Sequence, residues 1–530
     1  MGDLLSDYLR RQRATGAYDE VLAPDGSPRA GYEGIVSALE SLSASDLMAR
    51  GGALSSAFTD AGVTFSLSGE ERPFPLDVVP RVFTTAEWDL IERGVAQRVR
   101  ALEAFLSDVY GAGRAFADGV LPRRLVTSSR HFHRAAFGVN PANGVRVHVA
   151  GVDLVRDASG ELRVLEDNLR TPSGVSYVLE NRRTITRVSP DLFGRERVRP
   201  VSTYPAQLLA SLRAAAPHIE DPTVVVLTPG AYNSAYFEHS LLARQMGVEL
   251  VEGRDLVCRG GEVFLRTTSG EQRVDVIYRR IDDDFLDPLH FRPDSVIGCP
   301  GLLGAARNGT VAIANAVGNG VADDKLAYTY VPEMIEYYLG ETPALRNVET
   351  YRLEDAEVRE FVLERLDELV LKPVDGSGGY GLVIGPDAEE HQLAKLHDDV
   401  VGDPRGWIAQ PVVPLSTSPT LVDGELVPRH IDLRPFAVND GSEVWVLPGG
   451  LTRVALVEGS LVVNSSQGGG SKDSWVVADG PIQIELPLVH EARSSAALNV
   501  PVPSRGPQLG QAQQQQQQSR DVKPPGVDSC

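Results

Sequence analysis

GVDLVRDASGELRVLEDN, residues 151–168, contains two β-rich runs joined through Ala158, Ser159 and Gly160, a pattern that reads as a β-hairpin. Taking Asp157 to Gly160 as a four-residue turn pairs Val155 with Leu162 and Asp153 with Val164. Side chains alternate between faces along a strand. Glu166 and Asn168 therefore share the face of Val164, Asp153 joins them diagonally, and Asp167 points the other way. Two carboxylates and an amide oxygen on one rigid face suit magnesium, a hard cation that completes its shell with water and substrate phosphates. A solvated polar hairpin is the alternative, and a bulge or a shorter loop would break the parity on which the convergence depends.

A second stretch, LVLKPVDGSGGYGLVIG at 369–385, spaces Gly376, Gly378 and Gly381 as GxGxxG. A dinucleotide fingerprint must open a helix. Here the motif runs into Leu382, Val383 and Ile384, so the glycines join two strands. Such a strand–turn–strand flap can close backbone amides over phosphates, with Ser377 adding a hydroxyl donor and Lys372 placed to reach a phosphate. A Gly-rich hairpin with a surface lysine fits equally. Protein kinases also use such a flap, but neither an HRD segment nor DFG is present, and the GxxxxGK[ST] phosphate loop is absent as well.

The chain has 530 residues, long enough for two or three globular domains. Its net charge of −21 argues against nucleic acid or an anionic membrane as the main partner. Cys258, Cys299 and Cys530 have no paired spacing, which speaks against a disulfide framework or a Cys-rich zinc site and for a reducing, cytoplasmic setting. No apolar run approaches a membrane span, and the start turns polar too soon for a secretory signal. MGDLLS matches the short myristoylation pattern at Gly2 and Ser6, but an ordinary helical start explains it.

Along the chain, residues 1–95 read as a mainly helical packing or capping region, and 96–200 as a helix followed by the hairpin. Residues 201–320 alternate strand and helix (TVVVLTPG, FEHSLLARQMG, VELVEG, VDVIYRR) as a small α/β domain, and 321–478 are α+β with many short strands. Residues 479–530 read as a mostly disordered Gln/Pro-rich tail, with too few large apolar side chains to offset ordering entropy.

The run GVDLVRDASGELRVLEDNLRTPSG, 151–174, resembles the closing strands of ATP-grasp ligases, where an Asp and then a Glu-x-Asn pair hold magnesium on ATP before a glycine-containing turn. The resemblance implies Asp153, Glu166 and Asn168 as metal ligands. In most of that superfamily this element ends the catalytic domain. Here it precedes the α/β domain, Asp324 with Lys325, and the LVLKP strand. That rotated order is similar to the circularly permuted ATP-grasp family (type 2) and covers most of residues 15–475. It implies a permuted ATP-grasp fold with a Rossmann-like α/β domain at 201–320 ahead of the ATP-grasp lid.

By the same resemblance Lys325 and Lys372 contact phosphates, Gly376, Ser377, Gly378, Gly379 and Gly381 form the flap, and Gln410 and Val412 in WIAQPVV offer mainly backbone groups to adenine. Asp432 and Arg434 in HIDLRPF resemble a DxR strand whose arginine faces the transferred phosphoryl. Arg453, Asn464 and Gln467 fall near the same pocket, although a structural ion pair or loop contact would explain any one of these residues. The implied catalytic set is Arg434, Lys372 and Arg453.

Substrate-carboxylate candidates are Arg279 and Arg280 at the end of a strand and Arg134 beside His133, with Asn464 added from the pocket; pairing with nearby acids such as Asp282 and Asp283 is the alternative. The implied activity is ADP-forming ligation with ATP and Mg2+. A small-molecule or peptide carboxylate and an amine would be joined through an acyl phosphate, by a monomer or a homo-oligomer. A non-catalytic ATP-binding scaffold and a kinase-like phosphotransferase are the competing readings.

Overall fold

The computed structural model describes residues 3–67, 70–376, 381–463, 469–480 and 482. Ser377, Gly378 and Gly379 of the flap, Asn464, Gln467 and nearly all of the tail lie outside the described residues. Helices α1 (Asp3–Thr15), α2 (Glu33–Ser41) and α3 (Ala44–Asp60) open the chain. α4 (Thr85–Val109) begins well before the helix expected from about residue 96. The reason is a capping box: Thr84 Oγ1 accepts the Glu87 amide while the Glu87 carboxylate accepts the Thr84 amide at 3.1 Å. Its buried Ile91, Val95, Val99, Leu102 and Leu106 form one helical stripe.

The hairpin follows as β1 (Val149–Arg156) and β2 (Leu162–Asn168), then α5 (Val175–Val188). β3 (Val224–Leu227), α6 (Tyr236–Met246), β4 (Glu249–Val251), β5 (Val276–Arg279) and β6 (Ala312–Ala314) come next. β3–β6 form an all-parallel sheet in the order β6-β5-β3-β4, as the alternation of strand and helix predicts.

β7 (Arg346–Asn347), β8 (Tyr351–Arg352), β9 (Leu369–Pro373), β10 (Val383–Ile384) and β11 (Trp407–Pro411) precede β12 (Arg434–Asn439), β13 (Val444–Val454) and β14 (Gly470–Lys472). β8-β11-β9-β10 make one antiparallel sheet, and β9 with β10 are the two strands expected on either side of the glycine flap. The central sheet runs β7-β2-β1-β12-β13-β14. Its middle therefore joins the early hairpin to strands from far later in the chain, the rotation inferred from motif order.

The hairpin register differs from expectation in two ways. The turn takes five residues, Asp157 to Glu161, because the Asp157 carboxylate accepts the amides of Ser159 at 2.9 Å and Glu161 at 3.1 Å, so Leu154 faces Val164. A bulge then shifts the register once more and sets Glu166 directly opposite Asp153. The two shifts restore the shared face. At Gly160 (φ +87°) a Cβ would lie 2.5 Å from the Tyr18 ring, so glycine lets the N-terminal region pack onto this turn.

That region is also fastened by charge. Buried Glu20 accepts Arg81 at 2.6 Å, Arg156 at 3.1 Å and the Ser416 hydroxyl at 2.6 Å. Arg81 in turn donates to the Asp432 carbonyl at 3.0 Å, at the foot of β12.

Candidate active site

A cleft lies between the central sheet and the β8–β11 sheet. Its charged lining comes from Asp153, Glu166, Lys325, Lys372, Asp432 and Arg453, and its other end is apolar, with Val370, Ile384, Val413 and Leu415. Four adjacent strands of the central sheet carry Glu166 (β2), Asp153 (β1), Arg434 (β12) and Arg453 (β13), while Lys372 comes from β9 and Lys325 from a short helix. Sheet geometry alone therefore holds the first four in register.

Asp153 sits 1% exposed beneath two guanidiniums. Arg434 grips it with Nε and with Nη2 at 2.7 Å, while Arg453 Nη2 reaches it at 2.6 Å. Burial raises the pKa of Asp153, but Arg434 and Arg453 outweigh burial and hold the carboxyl well below the usual range. Arg453 is itself clasped by Asp432 through Nε at 3.0 Å. Burial opposes its charge, and Asp153 with Asp432 overcome that and push its pKa up. Arg434 Nη1 also donates to the Ser173 carbonyl at 3.3 Å, and its side chain lies across Gly151, where a Cβ would meet Arg434 Cδ at 3.3 Å.

Glu166 is less committed. Its side chain is 24% exposed, 3.3 Å from Lys325 Nζ and 3.6 Å from Arg434 Nη2. Lys325 also donates to the Gly376 carbonyl, which ties the flap's leading edge to the floor, and Asp324 beside it caps the helix Lys325–Tyr328 and pairs with Arg405 at 2.7 Å. Burial pushes the Lys372 ammonium down to about 8, against the pull of Glu166 and with help from Lys325. Gly381 adopts φ +74°, a conformation that favours glycine.

Asn168 shares the Glu166 face, and its side-chain NH2 is buried with no hydrogen-bond partner among the described residues. The backbone just beyond it is pinned where Asp323 accepts the Leu169 amide at 2.6 Å. Asp167 occupies the opposite face and takes Arg98 at 2.5 and 2.7 Å.

These donors fit a magnesium ion. Glu166 opens its carboxylate to the cleft and Asn168 shares its face, where the amide oxygen, not the unpartnered NH2, would be the ligand. Asp153 has most of its lone pairs committed to arginine. No group of three His, Cys, Asp or Glu side chains among the described residues forms a ready cage, so phosphates would have to complete the shell.

Other predicted positions fall differently. Gln410 lines the cleft but spends its amide on Thr350 Oγ1 at 2.9 Å, and Val413 rather than Val412 lines the pocket. Neither Arg279 nor Arg280 lines this cleft. Arg279 is fully buried against Asp283 at 2.8 Å and the Asn315 carbonyl at 2.7 Å, and Arg280 pairs with Glu238 at 3.1 Å. Each has its acid within a few ångströms, as the alternative reading held, although Glu238 was not foreseen.

Arg134 sits in a single 3-10 turn and does not line the cleft, and neighbouring His133 lies 3.9 Å from Asp283. Glu238 on α6 accepts the amides of Gly174 at 2.7 Å and Ser176 at 3.1 Å, and so anchors the turn whose Ser173 carbonyl receives Arg434. No local sequence pattern announces that contact.

Two sheets closing on a cleft of carboxylates, lysines and arginines define the ATP-grasp class. The fold is similar to that of a glutathione synthetase-like effector from Globodera pallida solved in its apo form, with a TM-score of 0.53 at 12% identity over 82% of this chain and 98% of that one. Residues 80–455 match the circularly permuted ATP-grasp type 2 model, and the chain belongs to that family.

Among its relatives are an uncharacterised protein of Mycobacterium tuberculosis, 65% identical over 87% of this chain and 84% of that protein, and one of Synechocystis, 52% identical over 87% and 97%. A Frankia alni protein provisionally named glutamate–cysteine ligase 2-3 is 47% identical over 89% of this chain, which spans 55% of that protein. Among the described residues no helix is long and apolar enough to cross a membrane.

Proposed function

We propose that this protein is an ADP-forming carboxylate–amine ligase that makes an amide bond through an acyl phosphate in the cytoplasm. The observation that supports it is the convergence of Asp153, Glu166, Lys325, Lys372 and Arg453 on one cleft, with Arg434 bridging Asp153 and Glu166. Family membership and the ligase name of the Frankia relative point the same way.

In this reading Glu166 and Asn168 hold magnesium, with Asp153 beside them fixing both arginines. Bound magnesium would supply charge neutralisation on the phosphates. Lys325 and Lys372 contact the phosphates, and residues 376–381 cover them. The apolar end of the cleft takes adenine, with backbone groups of Gln410 to Val413. Arg434 presents its guanidinium where negative charge develops on the transferred phosphoryl. A substrate carboxylate oxygen displaces ADP from the γ-phosphorus, and the amine then displaces phosphate from the acyl carbon.

The test is phosphate release from ATP with pools of amino acids, small carboxylic acids and amines, with products weighed by mass spectrometry. A product equal in mass to acid plus amine minus water, formed in step with ADP, supports the ligase. Tight ATP binding without turnover across the panel would point to the scaffold instead.

Lys372 adds a pH signature. With its pKa near 8 in the free protein, the ammonium that meets phosphate is present below that pH and lost above it. ATP affinity by calorimetry should weaken above pH 8 by up to about tenfold per unit, with proton uptake on binding. Lys372→Arg should flatten that slope, and an unchanged slope would remove Lys372 from the phosphate contact.

A further inference from the structure

Cys258 and Cys299 lie 41 positions apart with no motif spacing, yet their sulfurs are 3.6 Å apart in the fold. Cys258 is half-buried on the strand Leu256–Arg259, and Cys299 is fully buried in a turn fixed by its amide to the Leu286 carbonyl at 3.0 Å. Gly301 permits the approach. It adopts φ +89°, and a Cβ there would stand 3.1 Å from Cys258 Cβ. Both thiols are free, and neither lines the ATP-grasp cleft.

We propose that Cys258 and Cys299 form a reversible dithiol–disulfide modification site that a hydroperoxide oxidises. The accessibility of the two sulfurs divides their roles. Contact with the Cys299 sulfur holds the Cys258 thiol below the ordinary range, while the same contact and burial push Cys299 up. Thiolate character and exposure favour attack by Cys258.

Cys258 displaces alcohol or water from the peroxide O–O bond and becomes a sulfenic acid. The Cys299 sulfur then attacks the Cys258 sulfur, an S–S bond forms, and water leaves. The two thiols lose two electrons and two protons in total, and the peroxide is reduced by the same two electrons. The link would pin the hairpin at 256–267 to the 285–301 segment and stabilise the α/β region by restricting its unfolded chain.

The test uses the full chain carrying Cys530→Ser, treated with hydrogen peroxide, with remaining thiols counted by maleimide labelling and intact mass. Both thiols are expected to disappear together, to yield one peptide pair cross-linked between Cys258 and Cys299, to return with dithiothreitol, and to raise Tm while linked. In Cys299→Ser the Cys258 sulfenic acid should persist long enough for dimedone to trap it, and in Cys258→Ser the Cys299 thiol should stay labelled. Three results would overturn the proposal: both thiols surviving peroxide, Cys258 passing to sulfinic acid while Cys299 remains labelled, or linking as fast in urea as in the native protein.

Discussion

Replacing Glu166 with alanine is expected to lower ATP-dependent phosphate release by about two to three orders of magnitude while leaving Tm nearly unchanged. The asymmetry follows from what each acid of the site already holds. Asp153 is consumed by Arg434 and Arg453, so its loss would take the main partner from Arg434, leave Arg453 on Asp432 alone, and damage the fold as well as the chemistry. Glu166 lies 3.3 Å from Lys325 and 3.6 Å from Arg434, also meets the Asp153 carboxyl, and opens to the cleft. Its carboxylate is therefore available for a cation on the phosphates, and little stability depends on it. Parallel phosphate-release and thermal-melt assays separate the two effects. An undiminished rate in the variant would remove Glu166 from the metal site.

Glu20→Ala should destabilise the protein by about 3–5 kcal/mol, although Glu20 lies outside the cleft. Glu20 is the acid shared by Arg81 and Arg156, both nearly inaccessible; Arg156 also reaches Glu87 at 3.0 Å, whereas Arg81 has Glu20 as its counter-ion and otherwise donates to the Asp432 carbonyl. Removing the acid leaves a buried cation that solvent cannot reach. Burial raises the pKa of Glu20, but Arg156 and Arg81 overcome that and bring it down to about 2.

With the folded value below the unfolded one, this stabilisation is complete above the ordinary glutamate range and is lost as pH falls toward 2. Urea titrations at pH 7 and pH 3 check both points. The wild-type advantage over Glu20→Ala should be large at pH 7 and reduced at pH 3. A constant difference would place the stabilisation in packing rather than charge. Because Arg81 also holds the Asp432 carbonyl, loosening this anchor should reach the foot of β12 and hence Arg434.

The local parts of this site were legible in the sequence. Alternation along 151–168 brought Asp153, Glu166 and Asn168 to one face, and the β-like run after Gly381 showed that the glycines join strands. Even there the register was missed, because an Asp157 side chain that captures two amides lengthens the turn and a bulge corrects the parity. Bulges leave no reliable trace in residue order.

What could not be read were contacts between distant segments: Arg453 on Asp153, Glu238 on Gly174, Glu20 on Arg156, and the two facing sulfurs of Cys258 and Cys299. Each joins groups whose sequence neighbours give no sign of the partner. Arg279 and Arg280 show the converse case. The end of a parallel strand suggested a ligand crevice, but the fold supplies Asp283 and Glu238 there, and both arginines are buried against these acids.

The central claim, that this cleft activates a carboxylate with ATP, is tested most directly by hydroxylamine trapping. The protein is incubated with Mg-ATP, hydroxylamine and each candidate acid, and hydroxamate and ADP are quantified together. The account predicts hydroxamate in step with ADP for the true carboxylate and near-complete loss of both in Glu166→Ala. A stable phosphorylated product that hydroxylamine does not capture, or ATP bound tightly with neither ADP nor hydroxamate formed across the panel, would contradict it.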